Sequence, residues 1–306
     1  MRRLLLFFAL GGAAAAAAVA QVPPDADAGR LDSVMLSSNP LVAEGDRHYA
    51  NRANGRNGIV ADPRKILAAI SAYSHAAEAP DQVEARWKMA RALYFRGNCT
   101  GLEPANRTPV FERARGYADQ AVQILTDRVR RKGSDPEKLS PAQLAEALSG
   151  EGDAKAVFYW SSVAWGEWAL AAGKLVAVQR GAADRIRRDS EVLIALDPEF
   201  EEGGGYRILG RLHSEAPRLP ILTPWVSRET GIEQLRKAMA VSSNNFPNRL
   251  FLAEALHQHG GPAEKQEAIQ LLDALVADSP SPVYLLEGLR QQDLARKDLA
   301  EYKKGS

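Results

Sequence analysis

From Asn39 onward the chain keeps one rhythm. Apolar residues recur three and four apart among Ala, Leu, Glu, Arg and Lys, and alternating β-branched runs are almost absent. That period gathers the apolar residues on one face of a helix, whereas a strand needs strict alternation, so the chain is confined to a nearly all-α fold. The spacing predicts helices over Leu41 to Asn54, Pro63 to Glu78, Val83 to Arg96, Val110 to Arg131, Pro141 to Leu148, Ala154 to Gly173, Ala182 to Leu196, Gly205 to Ser214, Ser227 to Val241, Pro247 to His259, Ala263 to Ala277 and Pro282 to Tyr302. Asp62, Ser140 and Ser281 each stand before a proline, an N-cap ahead of a residue suited to the first helical turn.

Paired helices joined by short turns call for a repeat, and the tetratricopeptide pattern is partly present. Its first helix carries a large, an apolar, a small and another large residue, spaced three, one and three apart. Tyr206, Leu209, Gly210 and His213 have that spacing, and Arg249, Leu252, Ala253 and Leu256 repeat it more weakly. Its second helix ends in a proline twelve positions after a small residue, as in Ala268 to Pro280 and Ala68 to Pro80; Leu196-Asp197-Pro198 ends a helix in the same way. Small residues let two helices approach closely, and the proline stops the second so that the chain turns back. The expected domain is a tetratricopeptide-like solenoid of about five to six helix pairs over residues 39–306. Asn51 to Gly58 and Gly97 to Pro109 read as connections between helices.

Ahead of this domain, Met1-Arg2-Arg3, the apolar stretch Leu4 to Val19 and the small residues Ala18-Val19-Ala20 read as a cleaved signal peptide over residues 1–20, followed by a flexible segment, 21–38. The expected location is the periplasm or the exterior, with no stable membrane insertion after cleavage. The single cysteine, Cys99, allows no disulfide within the chain, so stability has to come from packing. Removing Arg2 and Arg3 leaves 37 basic against 38 acidic residues. That balance excludes a general nucleic-acid binder, which needs clustered excess positive charge.

Motifs of catalysis are missing. The sequence has no phosphate loop, Rossmann fingerprint, zinc-protease helix or serine-nucleophile elbow, so no catalytic residue, metal or cofactor is expected. Glu201 to Gly205 reads as a flexible turn between repeats. His257 and His259, two apart on a helix, point in different directions and make a poor metal pair. Asn98-Cys99-Thr100 and Asn106-Arg107-Thr108 fit the glycosylation sequon and fall in the predicted loop.

The segment Ala156 to Gly173 is apolar nearly all round, with Glu167 its only charge, and predicts a buried helix. Trp165 and Trp168 share a face that Val157, Trp160 and Ala164 extend. That face either packs between repeats or lines an apolar cavity in which Glu167 or indole N–H groups orient a ligand. Pro217 to Val226 contains three prolines among exposed apolar residues, which favours an extended course packed on the array or forming a lid. The candidate ligand-binding residues are Trp160, Trp165, Glu167, Trp168, Tyr206 and Trp225.

The run Phe158-Tyr159-Trp160-Ser161-Ser162-Val163-Ala164-Trp165-Gly166 resembles the periplasmic T-component proteins associated with TRAP-type (tripartite ATP-independent) transporters. Leu196-Asp197-Pro198, the glycine-rich turn after it, Leu209-Gly210 and the closing Leu289 to Leu299 helix are similar too. The resemblance runs from Ala154 to the C-terminus. It implies a helical-repeat protein with a groove or pore for a hydrophobic ligand, associated with the solute-binding subunit of a transporter. Two features depart from it: the signal peptide has no acylation Cys, and Pro217 to Val226 replaces a glycine-rich connection. The leading expectation is a non-enzymatic binding protein for a protein partner or an apolar small molecule. A scaffold of the cell envelope is the alternative, and a polysaccharide hydrolase using Glu167 with Glu201 or Glu202 lacks a motif.

Overall fold

The computed structural model describes residues 37–304, and the predicted signal peptide together with residues 21–36 lies outside them. The helices are α1 (Pro40–Ala50), α2 (Pro63–Ala76), α3 (Val83–Cys99), α4 (Pro104–Arg131), α5 (Pro141–Ala147), α6 (Ala154–Ala172), α7 (Lys174–Gln179), α8 (Ala182–Leu196), α9 (Phe200–Glu215), α10 (Arg228–Val241), α11 (Phe246–His259), α12 (Pro262–Ala277) and α13 (Leu285–Tyr302). Among the described residues the β pairing is confined to a single bridge between Asn57 and Val60. The helices pack in neighbouring pairs: α1 with α2, α3 with α4, α6 with α8, α9 with α10 and α11 with α12, and α13 closes the series. The fold is an all-α helical-hairpin array of five pairs and a final helix.

Side-chain caps hold several of the helix starts. Asn39 accepts from the Leu41 and Val42 amides, Asp62 from Arg64, and Asn245 from Asn248. Ser140 and Gln143 form a reciprocal capping box. Ser281, expected to cap, instead precedes a 3-10 turn at Pro282–Tyr284 and accepts no cap bond.

Three other expectations need correction. The connection read over Gly97 to Pro109 is mostly helix, because α3 runs to Cys99 and α4 starts at Pro104. Pro109, the sixth residue of α4, has no amide to bond the Ala105 carbonyl, yet the helix continues through it. Asn98 is therefore buried on α3 and Asn106 sits in the first turn of α4, so neither sequon lies on a loop. The short helix α7 was not anticipated. The Glu201 to Gly205 turn exists but is held by packing: Glu201, Glu202 and Gly203 take left-handed backbone angles inside α9. A Cβ on Gly204 would come within 2.7 Å of the Tyr159 ring, and one on Gly205 within 2.7 Å of Ile194.

The main core runs from α1 to α6 and takes in Leu193 of α8 and Leu286 of α13; a second core joins α10 to α13. Leu286 reaches the first core because α13 returns to the start of the array. There the Arg52 guanidinium meets the Glu287 carboxylate at 2.8 Å and donates to the Val283 carbonyl at 2.5 Å, with Arg52 and Glu287 both largely buried. The array thus closes end on start around a half-open space.

The repeat motif has a clear physical role at α9 and α10. A Cβ on Gly210 would lie 2.7 Å from Leu235 Cγ and 2.9 Å from the Gly231 carbonyl, so these two helices cross at near-backbone contact. Gly210→Val is expected to lower unfolding free energy by about 1–3 kcal/mol, the cost of overpacking, measured by urea denaturation followed by circular dichroism.

Candidate ligand-binding cavity

Closure leaves a cavity of about 700 Å³, within the range of small-molecule sites. Its wall is built by α1, α3, α6, α7, α8, α9, α11, α13 and the segment between α9 and α10. Val163, Leu170, Ile186, Ile208, Leu212 and Phe251 supply apolar surface.

Of the six residues singled out in the sequence, Trp160 and Glu167 line this wall, and Trp165, Trp168, Tyr206 and Trp225 are not among its lining residues. Helix geometry explains the split on α6. Glu167 follows Trp160 by seven residues, about 20° short of two full turns, whereas Trp165 lies about 140° round the helix from Trp160. The shared aromatic face read in the sequence is therefore two faces. Trp165 donates through Nε1 to Asp119 at 2.8 Å and stacks edge-on with Trp168, centroids 5.6 Å apart. Both rings pack with Phe111, Ala182 and Ile186, beneath the Arg115 guanidinium.

Trp225 fastens the proline-rich segment. Its Nε1 donates to Asp184 at 3.0 Å, its ring meets His213 edge-on, and the Arg187 guanidinium sits 4.4 Å from its centroid. Held this way, the segment brings Leu222 and Thr223 to the cavity wall and leaves Ile221 exposed. Tyr206 is half-buried on α9.

Its neighbour Arg207, overlooked in the sequence, is a principal polar residue of the wall. It is buried and donates to the Tyr159 hydroxyl at 3.0 Å, the Asn248 amide oxygen at 2.9 Å and the Glu201 carbonyl at 3.1 Å. The left-handed turn sets Glu201 and Glu202 beside it on the wall. Tyr284 donates to Glu201 at 3.4 Å, and Ser242 and Asn245 donate to Glu202 at 3.0 and 2.8 Å. Burial raises the Glu201 carboxyl above its ordinary range, opposed by the Arg207 charge. Arg211, also lining, is bound by Glu254 and by Glu215.

The helical hairpins thus close around a cavity whose wall joins apolar side chains to several polar groups. No family model matches the chain, and no curated protein matches it. Among solved structures, the TPR2AB-domain:pHSP90-complex of yeast Sti1 is similar, with 16% identity over 86% of this chain and 97% of that one and a TM-score of 0.30. At that level the fold assignment rests on the helix pairs of this chain.

Among the described residues no group of three or more His, Cys, Asp or Glu could hold a metal ion, and no helix is long and apolar enough to cross a membrane. His257 stacks on Tyr302, and His259 contacts the Ser214 carbonyl, so the two imidazoles serve different neighbours.

Glu167 titrates unusually. Removal from bulk water pushes its pKa from 4.5 up to about 7, against the opposing effects of Asn98, Arg290 and Arg107. Its remaining exposure opens onto the cavity. The folded protein therefore holds the Glu167 proton more tightly than the unfolded chain does. This contribution to stability is complete below the unfolded pKa and is lost as pH rises through about 7. Glu167→Gln is expected to match the parent Tm near about pH 4 and exceed it at about pH 8; a Tm difference independent of pH in calorimetry would remove this account.

Proposed function

We propose that this chain is a non-enzymatic binding protein of the periplasm or exterior, which holds a small apolar molecule in its cavity and offers the cavity rim to a protein partner. The observation that carries this reading is the half-open cavity of about 700 Å³ beside Trp160 and Glu167. A scaffold acting only through protein contacts has no use for such a space. The carboxylates a hydrolase would recruit, Glu201 and Glu202, are engaged by Tyr284, Ser242 and Asn245, which supports holding over turnover.

A partner at the rim is supported by exposed apolar side chains on two segments that also build the wall. Leu175 and Val176 precede Val178 on α7, and Ile221 precedes Leu222 and Thr223 in the proline-rich segment. Exposed apolar surface beside a pocket is the usual mark of a contact site. The resemblance of Phe158 to Gly166 to the T-component proteins gives that partner a class, the solute-binding subunit of a TRAP-type transporter.

Gly166 offers a clean test, because it lines the cavity and a Cβ there meets nothing within 4 Å. Native mass spectrometry of the full-length protein's mature product, purified from its own envelope, is expected to show a retained small molecule. Gly166→Phe should put a ring into the cavity next to Glu167, keep the parent Tm and lose that molecule. A bare parent chain, or a variant that retains the molecule, would refute the cavity as the binding site.

A further inference from the structure

The wall combines aromatic rings and carboxylates in a way that an uncharged apolar ligand does not require. Tyr49, Tyr94, Tyr159, Trp160 and Tyr284 reach it from α1, α3, α6 and the turn before α13. Tyr94 and Tyr159 flank Trp160, with centroids 5.6 and 5.1 Å away in tilted and edge-on arrangements. At the border of this group the chain already seats cations on rings. The Arg91 guanidinium lies 3.9 Å from the Tyr49 centroid, and that of Arg52 lies 4.5 Å from Tyr49 and 6.0 Å from Tyr284.

Charge on the wall is one-sided. Glu167, Asp184, Glu201, Glu202, Glu215 and Glu287 line it against Arg207 and Arg211. Glu287 is paired with Arg52, Glu215 with Arg211 and Asp184 with Arg187. Glu167, Glu201 and Glu202 take part in no salt bridge among the described residues, and Arg207 is their one lining cation outside a salt bridge. A concave, weakly polar wall with excess carboxylate concentrates positive charge.

Resting on the binding-protein reading above, we propose that the ligand is an organic cation: an ammonium group on an apolar body. The charge sits among Tyr94, Trp160 and Glu167, and the apolar part runs along Val163, Leu170 and Ile208. Ring faces attract ammonium groups through their quadrupole, and the adjacent carboxylate supplies the countercharge. An ammonium group adds a further positive charge to those of Arg290 and Arg107, which already oppose the effect of burial on Glu167. Binding therefore expels the Glu167 proton, and affinity rises as pH climbs through about 7. The other ionisable groups facing Glu167 hold their charge across that window: Arg290 from α13 and Arg107 from α4 stay cationic, and Tyr94 and Cys99 from α3 are raised by burial, Cys99 to about 12.

The test uses the full mature chain and three probes of equal chain length, decyltrimethylammonium, decanoate and 1-decanol, titrated below their aggregation concentrations. Binding is read by tryptophan fluorescence and calorimetry, with circular dichroism confirming that helix content is unchanged. The cation is expected to bind at least about tenfold more tightly than decanoate. Glu167→Gln should weaken the cation about 3- to 30-fold, abolish its pH dependence near pH 7 and leave 1-decanol within about twofold. Gly166→Phe should abolish binding of all three, placing the probes in the cavity. If decanoate or 1-decanol binds as tightly as the cation, or if Glu167→Gln changes all probes alike, the cation assignment is wrong while the binding-protein reading stands. If no probe binds and the envelope-purified chain is bare, both are wrong.

Discussion

The structure depends on the burial of α6. A nineteen-residue helix that is apolar nearly all round has no face to give to water, so it demands neighbours on every side. It obtains them from α3, α4, α8 and α9. One side, with Val157, Phe158 and Trp160, completes the main core, and another, with Trp165 and Trp168, forms a smaller cluster with Phe111 and Ile186. A remaining strip from Trp160 through Val163 to Leu170 meets the half-open space instead of side chains. The same all-round apolar character that anchors the hairpins thus supplies the wall of the cavity.

Backbone strain is concentrated on that wall. Glu201 and Glu202 hold left-handed conformations that branched and long side chains disfavour, at roughly 1–3 kcal/mol each. The packing that enforces the turn is visible on both flanks: Gly203 sits against Ala238 and Val241, and Gly204 against Tyr159. The result is two carboxyl groups and Arg207 gathered on the wall of the cavity. A second acidic pair lies behind the wall, where burial beside Glu254 raises Asp298 to about 7. Arg211 links that pair to the chamber through its bond to Glu254.

The fold was legible because it is written in short-range signals. Periodicity located twelve of the thirteen α-helices among the described residues, and the spacing of Tyr206, Leu209, Gly210 and His213 marked a helix whose Gly210 lies close against its partner. In α2 the deeply buried small residue is Ala69, one position beyond the Ala68 that the proline spacing picked out. The site was half legible. Trp160 and Glu167 stand on one helix, and their separation in sequence fixes their common face. Arg207, Tyr94 and Tyr284 gave no local signal, because what makes them wall residues is the return of α13 to α1. The helical course of residues 97–109 was hidden by two prolines that usually punctuate loops.

That return has a consequence for how such a chain can vary. Arg52 and Glu287 are 235 positions apart and meet only if the intervening hairpins sum to one particular turn of the superhelix. An open solenoid behaves as a row of units that add their stabilities and can be lengthened or shortened at will. Here a duplicated or deleted hairpin would swing α13 away from Arg52 and leave Leu286 without its core. Hairpin number is a closed quantity in this protein, because its two ends share an ion pair and a core.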